Sequence, residues 1–396
     1  MTLQALYCRL FQLGFAAGAR LLPWRKPECL SGPGTLSQVP QLLASSGAAH
    51  PLLVASPRQA AAPAFCAMAA RLPAYTLFSS VPADPTVDVV EEMVLLFRRT
   101  GCDSLVAVGG GSPIDAAKAT AARLARPRRT LSRLRGVLKI RRPTVPLVAV
   151  PTTAGTGSET TIAAVITDQE HHKYAIEDLC LIPRFAVLDP ELSLSLPPRI
   201  TACTGMDAMT HAVEAYTNRL YNTHETRRLA QEAVQTIFRF LPRAFSDGSD
   251  LAARQALLTA SYQAGFAFTR AGVGNVHALA HALGGLYGIP HGMACAVLLP
   301  PVLADYGSAV YPRLAQLARA AGLPSAGDEA AQARTFIAAL RAMNRRFSLP
   351  DGFDCIREED LPRLARWAEA EANPLYPVPV IYDQARFTHI LRQVML

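Results

Sequence analysis

The sequence predicts two domains of different class: an α/β half first, then an all-helical half. From about residue 50 to 190, short β-rich runs alternate with stretches of helical length, the pattern of strands joined by crossover helices. After Leu196-Pro197-Pro198, long Ala/Leu/Arg-rich segments follow one another without an intervening strand pattern. At 396 residues, half of them hydrophobic, the chain can bury two separate cores.

The elements follow in order. LQALYCRLFQLGFAAGARLLPW (3 to 24) is apolar and weakly amphipathic, and is expected to form a helix over 3–22 that packs on the body. Strands are expected at 50–56, 74–79, 104–110, 146–152, 163–168 and 185–190, with helical crossovers at 57–71, 86–100 and 113–125. A doubly wound parallel sheet is the default for that alternation. Helices are expected near 199–218, 224–243, 249–270 and 274–286, with more beyond 309. The domain boundary is placed so that 1–195 form the α/β domain, including the N-terminal helix, and 196–396 the helical one.

Composition excludes several classes. Eight cysteines are scattered without a CxxC pair, which argues against a disulfide framework and against a thiolate metal site, and fits a cytoplasmic setting. No run of 18 uncharged apolar residues is seen, so a spanning helix is not expected. Arg9 lies inside the N-terminal apolar run rather than before it, unlike a signal peptide, which leaves only peripheral membrane contact through 3–24 to consider. The net charge of +8 comes from one segment: RPRRTLSRLRGVLKIRR (126 to 142) holds eight Lys/Arg and no acid, and the remainder balances at 31 against 31. Without interleaved aromatics it reads as a solvated loop, not a nucleic-acid site.

Chemistry concentrates in three places. In GMDAMTHAVEAY (205 to 216), Asp207 and His211 are four apart, which puts a carboxylate and an imidazole on one face of a helix. NVHALAHALGGLYGIPHG (275 to 292) adds His277, His281 and His291. Five ligand candidates then compete for about four positions in an N/O site suited to Fe(II), Zn(II), Co(II) or Ni(II). After the strand SLVAVGG comes GGGSPIDAAK, in which Gly109, Gly110 and Gly111 precede Ser112, Pro113 and Asp115 at a helix start, an arrangement suited to cradling phosphate. PTTAGTGSE (151 to 159) offers Thr and Gly after another strand. Two such loops at the carboxyl ends of strands suit a dinucleotide better than a lone phosphate, without fixing the ligand class.

Taken together with SGPGTLSQVPQLL (31 to 43) and ANPLYPVP (372 to 379), these motifs make the chain resemble the iron-containing (group III) alcohol dehydrogenase family over nearly its whole length. The resemblance implies a Rossmann-like dinucleotide-binding domain and a helical metal-binding domain of the dehydroquinate synthase-like fold, with the site in the cleft between them. It implies Asp207, His211, His277 and His291 as ligands to Fe(II), with Zn(II) as the alternative, and His281 as a non-ligand in proton transfer. It further implies Gly109, Gly110, Gly111, Ser112 and Asp115 at the pyrophosphate loop, and Thr152, Thr153, Thr156 and Thr161 along the nicotinamide and ribose. The activity implied is hydride transfer between a primary alcohol and NAD or NADP, by a homodimer or larger homo-oligomer. A transhydrogenase acting between hydroxyacids and oxoacids, or another member of the fold without net redox, is the alternative.

Two departures from the family pattern bear on specificity. Where many members end the first strand with an Asp that repels a 2'-phosphate, this chain has Ser56, with Arg58 two residues on, so NADP is admitted beside NAD. Ala163 stands where some diol dehydrogenases carry Asn, and Phe268, Thr269 and Arg270 precede the third ligand. A roomier, less polar pocket is the expectation.

Overall fold

The computed structural model of the chain describes residues 3–170 and 173–396. It divides into two compact units: Pro23–Leu196 with Ser249–Tyr262, and Met1–Leu22 with Pro197–Gly248 and Gln263–Leu396. From the N-terminus come α1 (Leu3–Arg20), β1 (Glu28–Ser31), α2 (Val39–Ser45), β2 (Pro51–Ala55), α3 (Pro57–Ala60), α4 (Pro63–Ala69), β3 (Thr76–Phe78), α5 (Val87–Thr100), β4 (Ser104–Gly109) and α6 (Gly111–Ala125). There follow α7 (Leu131–Leu134), β5 (Gly136–Val137), β6 (Leu147–Pro151), β7 (Ala163–Thr167), β8 (Lys173–Glu177) and β9 (Phe185–Leu188).

Six strands form one parallel sheet in the order β1-β9-β6-β4-β2-β3. Strands β2, β4 and β6 are buried along their whole length, as a sheet covered on both faces demands. Alternation splits each run between two cores. Leu53, Val106, Val108, Val148 and Val150 pack with Val39, Leu43, Phe65 and Met68 on one face. Leu52, Val54, Leu105, Ala107 and Ala149 pack with Met93, Phe97, Ile114 and Ala117 on the other. The chain reverses its direction across the sheet between β2 and β4, and at such a switch point the carboxyl-end loops splay apart to admit a ligand.

Several expectations are corrected. The strand at 163–168 does not join the main sheet: β7 pairs antiparallel with β8, which pairs with β5, in a separate three-stranded sheet. Its burial alternates rather than running unbroken, the mark of a strand covered on one face. The crossover expected at 57–71 breaks into α3 and α4, because Pro63 cannot donate a backbone N–H and Ala62 before it is extended. Strand β1 escaped notice because it is a mostly exposed edge. The basic segment 126–142 is only partly a solvated loop. Leu131, Leu134 and Ile140 are buried with Ala164, Ile166 and Ile176, and Arg126 Nε donates to the Ile140 carbonyl at 2.6 Å.

The second unit is helical: α8 (Pro198–Thr217), α9 (His224–Ser246), α10 (Leu251–Ala271, shared with the first unit), α11 (Asn275–Tyr287), α12 (His291–Tyr306), α13 (Tyr311–Ala320), α14 (Glu329–Arg346), α15 (Leu361–Ala372) and α16 (Gln384–Gln393). Helix α1, placed by sequence in the α/β domain, belongs to this unit instead. Arg9 donates to the Val378 and Pro379 carbonyls, and buried Gln12 to those of Pro374 and Tyr376. Among the described residues one helical segment, His291–Ala309, is long and apolar enough by length and composition to cross a bilayer, and 61% of its most apolar stretch is buried, as in a core helix.

Behind the sheet loops, Lys118 of α6 is fully buried and Nζ donates to the Thr161 carbonyl and hydroxyl at 2.8 Å each and to the Ala163 carbonyl at 2.9 Å. Burial lowers its pKa to about 8 while Asp115 and Glu159 oppose the shift. Removing the ammonium would leave two acids buried without a counter-charge. Lys118→Met is therefore expected to lower unfolding stability by about 3–5 kcal/mol, checked by urea denaturation at neutral pH.

Candidate metal centre and nucleotide loops

Helix α8 is buried nearly all round, polar side chains included, so its Asp207, His211 and Glu214 must find partners within the protein. They share one face at i, i+4 and i+7. Helix α11 adds His277 and His281, and α12 opens with His291. Gly292 lets α12 approach α8: a Cβ there would lie 2.3 Å from the Cys203 carbonyl oxygen and 3.4 Å from Asp207 Cβ. Any larger residue would push His291 away from Asp207.

The donor atoms converge. Asp207 Oδ1 lies 3.3 Å from His291 Nε2, 3.9 Å from His277 Nε2 and 3.9 Å from His211 Nδ1. Asp207 Oδ1, His211 Nδ1 and His277 Nε2 are buried and have no hydrogen-bond partner. Three orphaned polar atoms turned toward one point form a costly arrangement that a cation would satisfy, and a carboxylate with imidazoles is a fitting donor set for a divalent transition metal. Among the described residues Asp207, His277, His291 and Cys295 form a group with all ligand atoms within 4.8 Å of one another. His211 stands beside it, its ring stacked on Phe268 at 4.0 Å and on His277 at 4.4 Å.

Burial alone would raise the Asp207 pKa, but His211 and His291 hold its carboxyl far below the ordinary carboxylate range. Desolvation pushes His211 and His277 down to about 3, so both stay neutral with lone pairs available. His277 Nδ1 meets Glu214 Oε2 at 2.6 Å. Glu214 also accepts from the Gly274 and Val276 N–H groups at 2.7 and 2.8 Å, which leaves His277 to donate from Nδ1 and present Nε2. His281 is apart from the orphaned group. Its Nδ1 pairs with Glu371 Oε1 at 2.6 Å, and Tyr376 Oη donates to the same oxygen at 2.7 Å.

Sequence reasoning missed Glu214, Glu371, Tyr376 and Cys295. Two of them carried a signal: Glu214 continues the Asp207/His211 face, and Cys295 follows His291 at the same spacing of four. The absence of a CxxC motif had argued against a thiolate in the site, but a thiol supplied by the three-dimensional packing of α12 needs no such motif.

In the α/β unit, register sets Gly109 opposite Pro151 and Ala55 opposite Val108, so Ser56, Gly109–Ser112 and Thr152 follow adjacent strands on one sheet edge. The glycines have a packing reason beyond ligand approach. A Cβ on Gly111 would lie 2.8 Å from Thr156 Cγ2, and one on Gly110 3.3 Å from Thr153 Oγ1, so the two loops interlock. Helix α6 has no side-chain cap at Gly110, which leaves its first N–H groups for a ligand. Ser112 Oγ instead donates to the Ala83 carbonyl.

Asp115 and Thr161 are both hydrogen-bonded within the protein. Asp115 accepts from Ser158 Oγ at 2.6 Å and from the Val165 N–H at 3.2 Å, and Thr161 Oγ1 is held by Lys118. Ser56 caps α3, accepting from the Gln59 N–H. Arg58 Nη2 donates to the Ser195 carbonyl at 3.2 Å.

Comparison with known proteins places this assembly. The sequence profile of the iron-containing alcohol dehydrogenases matches residues 27–190, and that of the C-terminal domain of the Fe-containing alcohol dehydrogenase family matches 201–395. The chain belongs to the iron-containing alcohol dehydrogenase family. It is 40% identical to the NAD-dependent methanol dehydrogenase of Bacillus methanolicus over 294 residues, 73% of this chain and 77% of that protein. To the 1,3-propanediol dehydrogenase of Klebsiella pneumoniae it is 39% identical over 305 residues, 75% and 77%. A crystal structure of 1,3-propanediol oxidoreductase superimposes with a TM-score of 0.90 at 33% identity, covering 95% of this chain and all of that one. The chain is an oxidoreductase, and its parallel-sheet and helical units are those of the family.

Replacing Glu214 by Gln would set an amide N–H₂ against one of three N–H donors and remove the charge that orients His277. Glu214→Gln should weaken metal binding about 10–100-fold, measured by chelator competition, with helix content unchanged by circular dichroism.

Proposed function

We propose that this chain is an Fe(II)-dependent, NAD(P)-linked dehydrogenase that interconverts small primary alcohols and aldehydes in the cytoplasm as a homodimer or larger homo-oligomer. The observation that carries this reading is the convergence of buried, orphaned Asp207 Oδ1, His211 Nδ1 and His277 Nε2 with half-buried His291 in the helical unit. Relatives named for methanol and 1,3-propanediol support small alcohols as substrates, and eight free thiols suit a reducing compartment. When bound, the metal would acidify the hydroxyl or polarise the carbonyl, and the nicotinamide would exchange the hydride.

The chain's own residues supply the rest. Asp207, His211, His277 and His291 are the proposed ligands, and Glu214 fixes which nitrogen His277 offers. Three neutral imidazoles and one carboxylate leave net charge +1 around a divalent ion, a field that favours an oxygen without its proton. His281, with Nδ1 committed to Glu371, exchanges the proton through Nε2, and Tyr376 steadies the acid. Gly109, Gly110, Gly111 and the amides opening α6 hold the pyrophosphate, beside Thr152, Thr153 and Thr156. Ser56 offers a hydroxyl where a carboxylate would repel a 2'-phosphate, so NADP is accepted beside NAD.

Anaerobic loading with Fe(II) or Zn(II), followed by an alcohol and aldehyde panel with each nucleotide, tests the reading. Free NADH should be released with primary alcohols, and His277→Ala should lose both metal and turnover while keeping its fold. A cofactor that cycles without release would point to transhydrogenation instead.

Ser56→Asp is a clean probe of nucleotide choice, because Asp caps a helix as well as Ser does. It should lower kcat/KM for NADP by about tenfold or more, while NAD changes little. Unchanged selectivity would refute the role of Ser56.

A further inference from the structure

We infer that Cys295 is a further donor to the metal centre, forming with Asp207, His277 and His291 a set softer than the aspartate and histidines alone. The inference rests on the proposal that these residues hold a metal. Metal bonds of about 2.0–2.3 Å to O, N and S place tetrahedral donor pairs about 3.3–3.7 Å apart. Observed separations are 3.3 Å for Asp207 Oδ1 to His291 Nε2, 3.7 Å for Cys295 Sγ to His291 Nε2 and 3.9 Å for Asp207 Oδ1 to His277 Nε2. A divalent ion fits among these four atoms with small side-chain shifts.

Helix geometry explains how the sulfur arrives there. Cys295 lies one turn after His291 on α12, so both side chains share the face that Gly292 presses against α8. The residue has no exposure, and a cysteine serving only as core filling would be surrounded by apolar atoms. Here the sulfur stands beside an imidazole nitrogen and within 4.8 Å of two buried polar atoms that lack hydrogen-bond partners. Those orphaned atoms belong to residues on α8 and α11, not on the cysteine's helix, and call for a cation at the same point.

Two four-donor sets therefore overlap on Asp207, His277 and His291, one completed by His211 and the other by Cys295. When the sulfur bonds the metal, the thiol proton passes to solvent and no oxidation state changes. The second anionic donor lowers the net charge around a divalent ion from +1 to zero, and sulfur shifts preference from Fe(II) toward Zn(II) or Co(II). Cys295 is thus a determinant of which metal this chain retains.

The full-length protein, stripped of metal and loaded anaerobically with Co(II), reports the ligand directly. Wild type should show visible cobalt d–d absorption together with a near-ultraviolet sulfur-to-cobalt charge-transfer band. Cys295→Ala and the nearly isosteric Cys295→Ser should keep the visible absorption and lose the near-ultraviolet band. Chelator competition should show the preference for Zn(II) over Fe(II) falling about tenfold or more in both variants. Near-ultraviolet spectra unchanged by either substitution, with visible bands present, would overturn the role of Cys295 and leave the metal centre standing. Absence of the visible bands from wild type would refute the metal centre itself, and this inference with it.

Discussion

A carboxylate taken out of water, with one oxygen left without a hydrogen-bond partner, is the constraint around which the helical unit is arranged. Asp207 sits in the middle of α8, a helix buried nearly all round, and Oδ1 has no partner. Such a group is tolerated only where opposite charge is brought to it. The surrounding packing brings metal-binding imidazoles to it at close range. Gly292 brings α12 within van der Waals distance of α8, which sets His291 beside Asp207. Glu214, one turn beyond His211, ties the N-terminus of α11 through the Gly274 and Val276 amides and turns His277 inward. Helix packing and metal geometry are two descriptions of the same contacts.

Burial then divides the histidines by task. His211 and His277, deprived of water, are held neutral with their pKa values near 3, so protons do not compete for their lone pairs near neutrality. His281 is about a quarter exposed and paired with Glu371. Identical side chains on α8 and α11 thus differ in depth and partner, not only in spacing along the helix.

Much of this was legible beforehand, for identifiable reasons. Strands β2, β4 and β6 and helices α8 and α9 showed because their apolar runs are long and their ends marked by Gly, Pro or a capping Thr. Asp207 and His211 showed because the helical repeat is a local rule. What escaped depended on contacts distant in sequence. Glu371 reaches His281 across ninety residues, and β7 looks like a parallel strand until β8 pairs with it. The glycines of GGGSPID were read as room for an anion, whereas Gly110 and Gly111 are also required by Thr153 and Thr156 of the second loop. Helix α1 was assigned by its place in the chain, yet the buried carbonyls of 374–379 are what it caps.

Two buried acid clusters in one chain show how scaffold and site are told apart. Glu159 lies in the α/β unit as deeply as Asp207 lies in the helical one, with Asp115 half-buried beside the same lysine, and desolvation raises the pKa of both. Lys118 stands close to both, and Asp115 accepts from Ser158 and Val165 with both oxygens. That cluster is complete within the protein and has no need of a ligand. At Asp207 the neighbours include His211 and His277, which burial holds neutral, and the Cys295 thiol, and Oδ1 has no hydrogen-bond partner. The deficit there is one of hydrogen bonds to buried polar atoms that face one another. A bound cation removes it, which is why the orphaned atoms at Asp207, rather than the depth of burial, distinguish the proposed site from the scaffold.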